Sequence, residues 1–361
     1  MRTAKPRDLS FDVMKGIAIF AVVMGHVLLF SPDRTVDTLL MNIISWTHMP
    51  LFFFISGYFS YKVSASGEPF GSPQLWSRFK QLVIPMVIVS ALFALYQGHS
   101  HLTAASDVGS DWCVNISRLW CDESKCGYWF TICLFEIMVI YYLAAPLLRR
   151  LGSGVAQILT IPAIFLVLIA LYKCAPTMLG NILELKMVAM YTPVFMIGVI
   201  ARKNREAFNR IIRNQLIITS ATLLGVCLLS LLVYRDAISF MSKPGATLFI
   251  APLWHLLLVV VAFNVTPRWV GEMPTNVSPS IKIWAYLGRN SLGIYLLQYF
   301  FLFPMPCLAG ALESSAAQFV PTFALSFLSA ALITAVCCGV ISIIRTSRHL
   351  AFLTLGDSLS K

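Results

Sequence analysis

The sequence predicts an all-α fold: a polytopic membrane helix bundle of about ten transmembrane helices with both termini cytoplasmic. Three observations carry that prediction. Of the 361 residues, 58% are hydrophobic and only 12% are charged, against roughly 45–50% and about 25% in an ordinary soluble domain. The apolar residues fall into runs long enough to cross a hydrocarbon core of about 30 Å, which takes roughly 17–25 residues of helix. The basic residues, finally, collect in alternate loops. This composition excludes a secreted disulfide scaffold and a disordered chain. The formal charge of +11, from 27 Lys+Arg against 16 Asp+Glu, reads as topology and not as a nucleic-acid surface.

Charges, prolines and glycines bound the runs one by one. Span 1 (11–30) follows Arg2, Lys5 and Arg7, and span 2 (39–61) lies between Asp37 and Lys62. Span 3 (82–97) comes after Arg78 and Lys80, span 4 (128–147) stops at Arg149 and Arg150, and span 5 (155–172) is closed by Lys173. Span 6 (187–201) is framed by Lys186 and Arg202, span 7 (215–234) by Arg213 and Arg235. Span 8 (246–266) ends at Pro267, span 9 is 288–310, and span 10 (321–344) ends at Arg345. With both ends inside, nineteen Lys and Arg lie in inner segments and seven in outer ones, with Lys15 within span 1. That asymmetry sets the orientation. The first run ends in VLLFSPD with no small-x-small cleavage site, so it reads as a retained helix and not as a secretory signal. Most of the tryptophans (Trp46, Trp76, Trp112, Trp120, Trp129, Trp269 and Trp284) stand near span ends or in loops, as interfacial anchors do; Trp254 is the exception.

No repeat, low-complexity tract or long hydrophilic stretch divides the chain, which reads as a single transmembrane domain over 1–361. The outer loop 98–127 contains Cys113, Cys121 and Cys126, of which two can bridge in an oxidising compartment; the sequence does not select the pair. His99, His101, Asp107 and Asp111 read as a solvated polar loop ahead of a weak metal site, and no metal site is predicted.

Span 1 carries three ionisable residues, Asp12, Lys15 and His26, where such groups are costly and mark a functional site by default. At about 100° per residue, Lys15 and Asp12 lie within about 20° and 40° of His26, so all three share one face. Eleven residues at about 1.5 Å each put His26 roughly 16 Å further out than Lys15. Lys15 reads equally as a snorkelling residue paired with Asp12 or as part of a site. His26 reads as a general base, with an interhelical hydrogen bond as the plainer alternative. Span 2 brings His48 toward a similar depth, beside Pro50, Ser56 and Gly57, which permit a broken helix or close approach. Glu136, deep in span 4, either orients a histidine or binds a sugar hydroxyl, or is a protonated carboxyl between helices. His255 reads first as packing.

The fragments DVMKGIAIFAVVMGH, HMPLFFFISGYF, YWF and LGRNSLGIYLLQ, in this order along nearly the whole chain, resemble the acyltransferase 3 family of integral-membrane acyltransferases, in particular its fucose 4-O-acetylase-like branch. The family's basic-residue-x10-His signature falls on Lys15 and His26, and its Phe-Phe-x-x-Ser-Gly signature on Phe52, Phe53, Ser56 and Gly57. Two positions depart from the pattern: Arg78-Phe-Lys80 stands where Arg-x-x-Arg is common, and Gln298 stands where the span-9 pattern often ends in His.

The resemblance implies transfer of an acyl group, usually acetyl, from acetyl-CoA to a hydroxyl of a cell-envelope carbohydrate or its lipid-linked precursor, in a bacterial plasma (inner) membrane. Acetyl-CoA is then a co-substrate, and no permanently bound cofactor and no nucleic-acid partner are expected. In this reading Lys15, supported by Asp12 and joined by Arg78 and Lys80, holds the donor phosphates, with Arg202 or Lys203 as further candidates. The pantetheine arm spans the distance to His26, the base, with His48 and Glu136 as further catalytic candidates. Ser56, Asn290 and Tyr295 are candidate supports for the oxyanion. The competing reading is a secondary transporter or flippase of an envelope precursor, against which stand the missing inverted repeat and the missing paired acidic relay.

Overall fold

A computed structural model describes residues 8–30, 39–61, 72–102, 120–121, 127–150, 154–234, 244–270, 277–302 and 316–358. Among these residues the regular structure is helical throughout: a multi-pass bundle. Among the described residues, five helices are long and apolar enough to cross a membrane (Leu9–Leu29, Pro73–Tyr96, Trp129–Pro146, Leu185–Lys203 and Val320–Ile344), and Leu159–Cys174, Gln215–Gly225 and Leu257–Val270 are shorter apolar helices. The chain packs as two compact units, one of residues 1–55 and 204–339, the other of residues 56–203 and 340–361.

The first unit is organised by α1 (Leu9–Leu29). Asp8 caps it by accepting from the Ser10 amide at 3.1 Å, which satisfies one of the donors left over at a helix start. The helix has little amphipathic contrast, and polar Ser10 and Asp12 are buried together with its apolar residues. A helix that is apolar nearly all round belongs inside a bundle. Its closest neighbour is α11 (Pro279–Arg289). A Cβ on Gly16 would fall 1.9 Å from the Trp284 carbonyl oxygen, and one on Gly288 would fall 1.8 Å from that of Asp12. Two glycines, one on each helix, therefore let the backbones touch, the small-residue packing that membrane helices use when hydrophobicity alone cannot drive them together. Val13, Val270, Ile281 and Ala285 fill the crossing.

The unit also holds α10 (Pro244–Val270), residues 39–55 of α2 (Leu39–Ser60), α9 (Gln215–Tyr234) and α8 (Arg205–Arg213). Phe263 of α10 collects Phe11, Phe54 and Phe208 edge-on at 5.4, 4.9 and 5.5 Å between ring centroids, a geometry the aromatic quadrupole favours. The Asn214 carboxamide caps α9 through the amides of Leu216 and Ile217. Span 9 is not one helix. It is α11, a break at Asn290, the short α12 (Ser291–Leu297) and a 3-10 turn over Gln298–Phe300. The apolar pattern alone places this span at 288–310, yet α11 begins nine residues earlier, because Ser278 caps it and Pro279 occupies its first position. The far end, 303–315, lies outside the described residues.

In the second unit, α3 covers Ser72–Leu102 and is ten residues longer at its start than the apolar run 82–97. At about 1.5 Å per residue it is roughly 46 Å long, more than hydrocarbon requires, so its first turns carry Arg78 and Lys80 at the interface. Trp76 is 58% exposed there, as an interfacial anchor is, and the Lys80 ammonium lies 5.9 Å from its ring. The remaining elements are α4 (Trp129–Arg150), α5 (Gly154–Cys174), α6 (Thr177–Ile182), α7 (Leu185–Lys203) and α14 (Arg348–Leu355); α13 (Ala316–Ile344) runs from the first unit into the second. Helices α4 and α5 pack on α7, and α3 packs on α4 and α14. The glycine of the Phe-Phe-x-x-Ser-Gly segment has the same structural reason as Gly288. A Cβ on Gly57 would fall 2.0 Å from the Phe195 carbonyl oxygen of α7.

Candidate active site

His26 lies in the last turn of α1, and the broken span brings a tyrosine to it. The Tyr299 hydroxyl is 3.1 Å from His26 Nε2, with the rings tilted at 46° and 5.0 Å between centroids. Gln298, fully buried, is the other polar side chain on the imidazole. Its amide nitrogen donates to the Tyr295 carbonyl at 3.1 Å. Consecutive residues of one 3-10 turn therefore stand against a single histidine, and such turns within helices often mark functional positions. Tyr295 stands one turn back with its ring edge-on to Tyr299, 6.5 Å between centroids.

His48 belongs to the same unit and is buried. Its Nδ1 donates to the Ile44 carbonyl one turn before it in α2, which leaves its other nitrogen as an acceptor. The two histidines stand close enough to interact electrostatically. A Cβ on Gly25 would touch Ile44 Cγ2 at 3.0 Å, so the glycine preceding His26 lets α1 lie close against α2.

Eleven residues inward, Lys15 and Asp12 form an ion pair of 3.2 Å, with Lys15 22% and Asp12 3% exposed. The i,i+3 pairing offsets the cost of burying the carboxylate and orients the ammonium. Asn290 is tied into the break: its side-chain amide donates to the Tyr286 carbonyl at 2.9 Å, closing the end of α11.

The other candidates fall in the second unit. Arg78 donates to Gln81 Oε1 at 3.0 Å, and Lys80 rests on Trp76. Arg202, in the last turn of α7, donates to the Tyr58 hydroxyl at 3.2 Å and lies 5.0 Å over that ring. The Ser56 carbonyl accepts from the Ser60 hydroxyl at 2.8 Å. Glu136, in α4, shares its surroundings with the buried Cys133 thiol and with Glu184. Glu184 takes a left-handed φ of 46° in the turn before α7. Beside them Trp129 and Tyr191 stack at 5.9 Å. Among the described residues no group of three His, Cys, Asp or Glu is placed to hold a metal ion. Cys121 carries a free thiol; Cys113 and Cys126, and the side chains of His99, His101, Asp107 and Asp111, lie outside the described residues.

Tyr299 is the residue that pattern reading misses. Its signal is faint: it stands four residues after Tyr295, on the same helical face, but the break at Asn290 and the 3-10 turn decide which of the two reaches α1.

Comparison with known proteins agrees with the motifs. The model of the acyltransferase 3 family, described as an acyltransferase domain, matches residues 8–343. A stretch of 96 residues is 38% identical to the nodulation protein NolL of Sinorhizobium fredii (strain NBRC 101917 / NGR234) and covers 25% of each chain. The chain thus matches about a quarter of that curated relative's length. No solved structure matches it. A match over 8–343, with the Lys15 and His26 pair on one helix and the motif glycines at two backbone contacts, leads to one assignment: the chain belongs to the acyltransferase 3 family.

Proposed function

We propose that this protein is a membrane O-acyltransferase that moves an acyl group, in the first instance acetyl, from acyl-CoA to a hydroxyl of a cell-envelope carbohydrate or its lipid-linked precursor. Its place is the bacterial plasma membrane. The observation that carries the reading is the 3.1 Å contact between His26 Nε2 and a hydroxyl, in a chain matched by an acyltransferase family over nearly its whole length.

A neutral imidazole nitrogen facing a hydroxyl has the geometry of a general base. The Tyr299 O–H occupies the line along which an acceptor O–H would donate to Nε2. As the acceptor oxygen attacks the thioester carbonyl carbon, its proton passes to Nε2. When the tetrahedral intermediate collapses, the C–S bond breaks and the same proton neutralises the leaving thiolate. His48 and the Tyr295 and Tyr299 pair supply polar surroundings on the same side of the unit, and water is kept out by the buried residues about α12, among them Ile294 and Leu296. Direct attack needs no residue-bound acyl intermediate, and His26 is assigned as base only.

Lys15 is assigned to the donor phosphates, with Asp12 as the residue that holds its ammonium. Arg78 and Lys80 are assigned the same role on the strength of their charge and interfacial position in α3. The test is transfer of labelled acetyl from acetyl-CoA into the glycan of membranes containing the protein. His26→Ala should abolish transfer with acetyl-CoA affinity and membrane insertion intact, and sustained turnover in that variant would refute the assignment. Lys15→Ala should instead raise the donor KM by about tenfold, the loss of one charge-assisted contact. An unchanged donor KM would reduce Lys15 to a snorkelling residue.

A further inference from the structure

The hydrogen bonds around His26 leave a single way to complete themselves. Tyr299 takes Nε2 at 3.1 Å, and the amide nitrogen of Gln298 is spent on the Tyr295 carbonyl at 3.1 Å. Two buried polar atoms then remain, His26 Nδ1 and Gln298 Oε1, and neither has a hydrogen-bond partner among the described residues. Gln298 acts on the His26 imidazole and immediately precedes Tyr299, which contacts its Nε2. An amide oxygen only accepts and an imidazole Nδ1 can donate. We infer that Gln298 is a positioning residue: its Oε1 accepts from His26 Nδ1–H, which fixes the tautomer whose Nε2 carries the lone pair and turns that nitrogen toward the acceptor hydroxyl.

The logic is that of any histidine whose second nitrogen is set by the bond that the first one makes. Here a neutral carboxamide fills the place that a carboxylate takes in serine-hydrolase triads. The helix break makes this possible. The Gln298 amide nitrogen is anchored to the carbonyl of Tyr295, three residues back, the i,i+3 spacing of a 3-10 turn. With the nitrogen held there, the oxygen is the end left to accept. The departure from the family pattern at this position thereby acquires a physical reason, since Gln298 orients the base and does not act as a second one. Full burial makes the bond count, since either atom left unpaired inside the bundle carries its whole desolvation cost.

This inference rests on the reading of His26 as the base, and its test separates the two. The full-length protein, labelled with 15N-histidine and held in lipid nanodiscs, is measured as wild type, as Gln298→Leu and as Gln298→Glu, with His26→Ala to assign the resonance. In the wild type His26 should show a protonated Nδ1 and a pyridine-type Nε2. Gln298→Leu should move population toward the Nε2–H tautomer. In the acetyl-transfer assay it should lower kcat by about tenfold to a hundredfold, with the donor KM unchanged. Gln298→Glu, which keeps an acceptor oxygen but loses the amide donor to the Tyr295 carbonyl, should keep the Nδ1–H signature, with kcat between those of the leucine variant and the wild type. A wild-type His26 in the Nε2–H form, or an Nδ1–H population unaltered in Gln298→Leu, overturns the inference. Should the leucine variant fail to fold, the wild-type and glutamate spectra still decide it. If the tautomer result holds but His26→Ala transfers acyl, the base assignment falls while the Gln298 contact stands.

Discussion

At the scale of residues, the proposed chemistry rests on one imidazole and what touches it. His26 was legible from sequence because an ionisable group deep in an apolar helix is costly, and because Lys15 shares its face eleven residues away. Its immediate partners were not. Gln298 is visible in the sequence only as a departure from a family pattern, and Tyr299 only as a tyrosine in an apolar run, since a hydrogen bond across 273 residues has no local signal. Lys15 shows the opposite case: its i,i+3 pair with Asp12 was readable from spacing alone and is present at 3.2 Å. The pairing has a testable consequence. Asp12→Asn keeps the shape but removes the counter-charge, so the ammonium loses its anchor in α1. The donor KM should then rise less than in Lys15→Ala, by about threefold to tenfold, with protein yield little changed. A donor KM that Asp12→Asn leaves at the wild-type value would show that the carboxylate does not position Lys15.

At the scale of elements, the motif glycines and the helix break position the segments that carry the candidate site. Gly16 and Gly288 bring α1 and α11 into backbone contact, which places Asp12 at the crossing and sets where the chain after Asn290 returns toward His26. Replacing Gly288 by Ala puts a methyl 1.8 Å from a carbonyl oxygen, with backbone and not a flexible side chain in the way. The helices must part, at a cost of about 1–3 kcal/mol. The detergent-solubilised Gly288→Ala protein should therefore unfold at a lower temperature, and Gly57→Ala, 2.0 Å from the Phe195 carbonyl, should behave alike. Gly339→Ala, which meets nothing within 4 Å, is the control and should leave Tm where it was. Equal Tm values for all three would contradict the packing described. Apolar patterning located the helices well where charge stops them and less well where caps do. It found Gln215–Tyr234 to the residue, but began α3 ten residues late, because a helix long enough to reach into the interface keeps its backbone bonds past the last apolar residue. It drew span 9 as one rod because a break closed by Asn290 leaves the hydropathy unchanged.

At the scale of the whole molecule, the family match and the apolar helices make this a multi-pass membrane protein of the acyltransferase 3 family, for which we propose that the basic side is the donor side. Nineteen of the 27 basic residues belong to the segments assigned to the inner face, so the C-terminal end should be cytoplasmic. A fluorescent protein fused after Lys361 should then fold and fluoresce, whereas alkaline phosphatase fused at the same point should stay inactive. The reverse pair of results would invert the orientation and the donor side with it. The helical membrane class was legible from composition because 58% apolar residues leave no soluble alternative. The division into two compact units was not, because no linker or change of composition marks it. The central claim is that His26 takes the acceptor proton in acyl transfer, and the most direct test follows labelled acetyl from acetyl-CoA into membrane glycan, comparing wild type with His26→Ala at equal protein level and equal acetyl-CoA binding. The account predicts label in glycan with the wild type and none above background with the variant; glycan labelled at the wild-type rate by His26→Ala would contradict it.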